Sequence, residues 1–120
     1  MERRAVNNSP TAHKAPPAPY YAVIFSSTLS DDAEGYGAMA ARMVELAREQ
    51  EGFIDVESAA RTTDGFGITV SYWRDLESIR KWKAQSEHAA AQKMGRNAFY
   101  RSYRLRVARV EREYGFDREE

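Results

Sequence analysis

A chain of 120 residues with 42% hydrophobic content is enough for one domain around one core. Its 18 basic and 18 acidic side chains cancel, so it shows no electrostatic footprint for nucleic acid, and the lack of cysteine removes disulfides, thiolate nucleophiles and cysteine metal sites. No apolar run approaches the roughly 20 residues that span a bilayer and the N-terminus lacks the apolar core of a signal peptide, so the expectation is a soluble, cytoplasmic protein with no nucleic-acid or membrane partner.

Residues 1–19 hold Asn7-Asn8-Ser9-Pro10 and Ala15-Pro16-Pro17-Ala18-Pro19 with almost no large apolar side chain, and read as a disordered tail in which His13 is solvent-exposed. Tyr20 to Thr28 is aromatic and β-branched on both alternating faces, which predicts a strand covered on both sides. Asp31 and Glu34 have capping-box spacing and predict the start of a helix, with Tyr36, Met39, Met43, Leu46 and Ala47 on its apolar stripe and Gly52 as the left-handed residue that ends it. Phe53 to Arg61 and Gly67 to Trp73, separated by Thr62-Thr63-Asp64-Gly65, read as an antiparallel hairpin.

Asp75 can cap a second helix with Leu76, Ile79 and Trp82 on its buried stripe; Ser86 is a candidate interruption, with Glu87 to Met94 as a continuing or re-angled helical segment ending at Gly95. Phe99 to Glu113 has a two-residue rhythm and predicts a long strand, with Tyr103 and Leu105 on one face and Tyr100 and Arg104 on the other. The order β-α-β-β-α-β is the α+β, ferredoxin-like pattern in which two helices cover one face of an antiparallel sheet. The strands are apolar on the second face too, and a two-fold homodimer is the simplest cover for it. The folded domain is placed at 20–116, with 117–120 as a short C-terminal tail.

Gly35-Tyr36, Gln50-Glu51-Gly52-Phe53, Gly67-Ile68-Thr69-Val70-Ser71-Tyr72-Trp73, Trp82, Glu87-His88, Ala91-Gln92, Gly95-Arg96 and the stretch from Tyr100 to Val110 resemble the antibiotic biosynthesis monooxygenase (ABM) domain superfamily. The resemblance implies a dimeric α/β barrel with a pocket between each sheet and its helices. It also implies an activity on small planar phenolic or polyketide-like molecules, using dioxygen with no cofactor, although other members degrade haem and family membership alone does not settle the chemistry.

His88 is the candidate base, because its ordinary pKa lets it exchange a proton near neutrality; the competing reading is a histidine hydrogen-bonded to Glu87 or to backbone. Trp73, Trp82, Tyr100 and Tyr103 are candidates to line the site, or to be core. Arg104 is the candidate for a substrate oxygen, against ion pairing or plain exposure. Haem is disfavoured because Gln92, rather than His88, takes the late-helix position where the resemblance calls for an axial histidine. No second folded-domain histidine completes a metal site. Two readings stay open: a cofactor-independent monooxygenase, and a non-catalytic ligand-binding or structural dimer of the same fold.

Overall fold

The structure, a computed structural model, describes residues 17–31, 33–94 and 99–118, with only the backbone described at 88–94. Residues 1–16 of the expected tail, His13 among them, and Gly95 and Arg96 lie outside the described residues. The elements are β1 (Tyr20–Leu29), α1 (Tyr36–Arg48), β2 (Phe53–Ser58), β3 (Phe66–Trp73), α2 (Leu76–Met94) and β4 (Tyr100–Val110). All pairings are antiparallel and the sheet order is β2-β3-β1-β4, so the two sequence-central strands lie on one side and the last strand returns to pair with the first. This is the α+β ferredoxin-like fold that the element order predicts. Among the described residues no helix is long and apolar enough to cross a membrane.

Register decides which side chains meet the helices. Tyr21, Val23, Phe25 and Ser27 of β1 stand opposite Trp73, Ser71, Thr69 and Gly67 of β3, and opposite Arg109, Val107, Leu105 and Tyr103 of β4. These residues share one face, and Val23, Ala47, Trp73 and Ile79 are buried together on it with Tyr21, Phe53, Trp82 and Leu105 packed around them. The other face carries Ala22, Ile24, Phe66, Ile68, Val70 and Tyr72, and here Phe66 and Ile68 are 41% and 45% exposed.

Two local expectations are corrected and one left open is decided. α1 starts at Tyr36 instead of at the Asp31 and Glu34 capping pair, because Gly35 sits in the left-handed region at φ 87° and the helix begins only after it, without a side-chain cap. Asp31 instead ion-pairs with Arg101 at 3.3 Å. Gly52 is not left-handed: among the described residues positive-φ glycines are Gly35 and Gly65. Gly52 is buried beneath the first turn of α2, where a Cβ would collide with Ser78 Oγ, so its small size and not its conformational freedom is what the fold uses. Finally, of the two courses open after Ser86 the helix takes the continuing one and Ser86 does not interrupt it, the Ser86 hydroxyl donating back to the Lys83 carbonyl at 3.0 Å.

The start of α2 follows the sequence expectation. The Ser78 backbone N–H donates to Asp75 Oδ1 at 2.8 Å, a side-chain cap whose amide bond also holds the Asp75 carboxyl below its usual range.

Candidate functional site

Two aromatic groups lie on the helix-facing side of the sheet, at opposite ends of β1. The first centres on Trp73, which is fully buried, donates from Nε1 to Ser71 Oγ at 2.8 Å, and packs on Phe53 at 5.5 Å and Trp82 at 5.2 Å between ring centroids. Trp82 is half-buried and reaches the Met43 carbonyl from its indole N–H at 3.4 Å, which ties α2 to α1. Phe53 reaches this layer because the β2–β3 register shifts between Phe53 and Asp55. Ile54 is the extra residue, and Phe53 and Val56 therefore lie on one face.

The second group surrounds Tyr100 where β4 begins. Its ring packs on Phe25, Tyr36 and Tyr103 with centroids 5.4, 5.8 and 5.7 Å away, and Phe99 closes on Tyr36 at 5.7 Å. A register shift between Thr28 and Leu29 of β1 makes this possible: Thr28 faces Ser102 while Leu29 faces Tyr100, so Arg101 is passed over and Tyr100 turns to the same side as Tyr103. The two-residue rhythm of the sequence places them on opposite faces, and the bulge reverses that. Burial first, then the neighbouring Tyr36 charge and hydrogen bond, push the Tyr100 phenol far above its usual range, with the Arg61 charge opposing.

Arg61, from the segment between β2 and β3, supplies a cation to this second group. Its Nη1 donates to the carbonyls of Ser27 at 3.1 Å and Gly65 at 2.7 Å, and its Nη2 donates to Ser27 Oγ and to the Tyr36 hydroxyl, both at 2.8 Å. The guanidinium carbon also lies 4.9 Å from the Tyr36 ring centroid. Gly67 leaves room for this side chain, for a Cβ there would meet Arg61 Cγ at 2.8 Å. Sequence reasoning missed Arg61, Tyr36, Phe25 and Ser27 as a group. The available signal was glycine inside a strand, which marks a close approach by something else.

The structure therefore brings Trp73 and Trp82 together, and Tyr100 and Tyr103 together, but holds the two pairs apart. Trp73 is opposite Tyr21 and Tyr103 opposite Ser27, a separation of six residues along β1, or about 20 Å at strand rise. Tyr103 is 54% exposed at the outer edge of its group. Arg104 stands opposite Ser26, on the face away from the helices, and donates to the Tyr103 carbonyl at 2.8 Å. His88 lies in α2 six residues beyond Trp82, and its side chain is outside the described residues. No group of three or more His, Cys, Asp or Glu residues among the described ones is arranged to hold a metal ion.

A βαββαβ chain with aromatic groups between sheet and helices belongs to a recognisable class of α+β protein. The family profile described as antibiotic biosynthesis monooxygenase matches residues 19–94, and the chain belongs to that family. It is 53% identical over 100 residues to the uncharacterised protein YqjZ of Bacillus subtilis, covering 83% of this chain and 87% of that one. A shorter match, 33% identical over 61 residues, is to a jasmonate monooxygenase of Pyricularia oryzae and covers 50% of this chain but 28% of that protein. Among solved structures, a mutant form of SnoaB, a cofactor-independent oxygenase from Streptomyces nogalater, superimposes with a TM-score of 0.63 at 18% identity, over 81% of this chain and 97% of that one. Rv0793 from Mycobacterium tuberculosis gives 0.65 at 15% identity, over 82% and 100%. These structural likenesses speak for the fold.

Proposed function

We propose that this protein is a homodimeric, cofactor-independent monooxygenase acting on a small planar phenolic or polyketide-like molecule held between the sheet and the helices. The observation that carries the reading is the group around Tyr100. It gathers several ring faces and edges and three phenol hydroxyls, those of Tyr36, Tyr100 and Tyr103, between sheet and helix, with Tyr103 reaching solvent. Such a lining suits a flat, electron-rich ring, which it contacts by stacking and orients by hydrogen bonds. Family membership and relatives named as oxygenases support the reaction class.

In this reading the Tyr100 end is the ligand site, and Trp73 and Trp82 form the wall that fixes α2 against β3. The chain topology favours His88 as the base. α2 leaves the Trp73 end of the sheet and returns toward the start of β4, so residue 88 lies about 9 Å farther along the helix axis than Trp82, in that direction. The base removes a proton from the ring system and leaves a delocalised anion. That anion transfers an electron pair to dioxygen; one oxygen atom bonds to the ring carbon as a hydroperoxide, and loss of water leaves a carbonyl. A CH₂ group and O₂ thus become a C=O group and H₂O, with no outside reductant.

Oxygen uptake with a panel of hydroquinones and anthrones tests the proposal. The wild-type protein should consume dioxygen with at least one of them, and His88→Ala should slow uptake by about 10²–10⁴-fold, the usual scale for a lost general base. Equal turnover by the variant would remove His88 from the mechanism. Ligand binding without any oxygen uptake would instead favour a non-catalytic binding protein.

A further inference from the structure

The sheet, the helices and the tyrosines account for a flat ligand, but they leave Arg61 unexplained. Its guanidinium is half-buried, and the four hydrogen bonds described above all go to neutral oxygens, those of Ser27, Gly65 and Tyr36. Pinning the β2–β3 connection to the end of β1 requires N–H donors and no charge, and among the described residues these partners bring no counter-charge to a cation that is costly to draw from water. With all four Nη protons so engaged, what the site offers an anionic oxygen on a flat molecule is the fixed charge itself and the Tyr36 hydroxyl it holds at the edge of the aromatic group.

The Tyr36 hydroxyl extends this charge toward Tyr100. It accepts a hydrogen bond from Arg61 Nη2 at 2.8 Å, and the Tyr36 ring packs edge-on against that of Tyr100 with centroids 5.8 Å apart. Because it accepts from Arg61, Tyr36 keeps its own proton to donate, and the adjacent guanidinium makes that O–H a stronger donor. The cluster is held rigidly: Gly67 admits the Arg61 side chain, Gly65 turns at φ 91° to present its carbonyl, and the Leu29 N–H binds that same carbonyl at 3.1 Å.

We infer that Arg61, with Tyr36 and Tyr100, forms the anion-recognising end of the ligand site, and that the natural ligand carries an anionic oxygen on its planar ring system. The inference rests on the planar-ligand reading above and adds the charge of the ligand. Arg61 would bind and orient the ring anion, and would favour the deprotonated form of a phenol over the neutral one.

Titration of the full-length chain with naphthoate and with naphthamide, which share ring and shape but differ in charge, tests it. Wild-type protein should bind naphthoate about tenfold more tightly, the scale of one charge-assisted hydrogen bond in a partly buried site. Arg61→Gln should abolish that preference while leaving naphthamide affinity within about twofold. Arg61→Lys, which keeps the charge but loses the fork, should reduce the preference by about threefold, and it carries the test if the Gln variant does not fold. Equal affinities in the wild type, or an undiminished preference in the folded Arg61 variants, would overturn the inference. Tight naphthamide binding without a naphthoate preference removes only the anion site, whereas failure of both probes to bind contradicts the planar-ligand reading as well.

Discussion

The indole rings of Trp73 and Trp82 lie 5.2 Å apart at 33°, so the last residue of β3 and the middle of α2 are packed directly against each other. Trp73 is fully buried while Trp82 is partly exposed. Trp73→Ala should therefore destabilise the fold by about 3–5 kcal/mol, and Trp82→Ala by clearly less. Urea denaturation followed by circular dichroism measures both; equal losses would show that this contact is not the seam between sheet and helix.

Gly52 makes a second, sterically defined contact. A Cβ at position 52 would overlap Ser78 Oγ and approach Ser78 Cβ to 2.5 Å, so Gly52→Ala must push α2 away from the start of β2. The expected loss is about 1–3 kcal/mol, the range for overpacking a tight contact. Thermal melts of Gly52→Ala and of Gly52→Ala with Ser78→Gly should show partial recovery in the pair beyond the sum of the single changes. Strict additivity would mean that the strain lies elsewhere.

Much of this architecture was legible in the sequence. The two-sided apolar run of β1, the helical stripe through Met39, Leu46 and Ala47, and the Asp75 cap are local signals, and the structure repeats them. The bulges at Ile54 and Arg101 were not legible, because an extra residue is defined only by the partner strand it fails to pair with. They moved Phe53 and Tyr100 to the helix-facing side. Arg61 was invisible for the same reason: its partners Ser27 and Tyr36 are 34 and 25 residues away in sequence, and nothing local requires an arginine there.

Alkaline pH should probe the other face of the sheet. Tyr20, which donates to a Glu113 carboxylate oxygen, and Tyr72, which donates to Glu57 at 2.8 Å, are both pushed up from 10.0 to about 12, by burial first and then by their carboxylate partners. A phenol whose folded pKa is raised stabilises the fold fully below the unfolded value, and that contribution is lost as pH rises from 10.0 toward about 12. Stability should fall across this interval, and the fall should be shallower in Tyr20→Phe and in Tyr72→Phe. Urea midpoints measured through the interval check this; parallel curves for wild type and both variants would contradict it.

The exposed apolar face predicts self-association. Ile68, 45% exposed beside Phe66 and opposite Ser26, is a suitable place for a charge. With Ile24 and Val70 nearby, such a surface is apolar enough to be covered by a second copy. Light scattering should give twice the chain mass for wild type at micromolar concentration and the chain mass for Ile68→Lys. A monomeric wild type would count against the dimer.

A single-turnover experiment with isotope-labelled dioxygen and an anthrone follows the oxygenation itself. One labelled oxygen atom should enter the product carbonyl for each dioxygen consumed, with the other recovered in water, in protein freed of added metal and flavin. Unlabelled product, or turnover that appears only when a flavin or metal is supplied, would contradict the proposal.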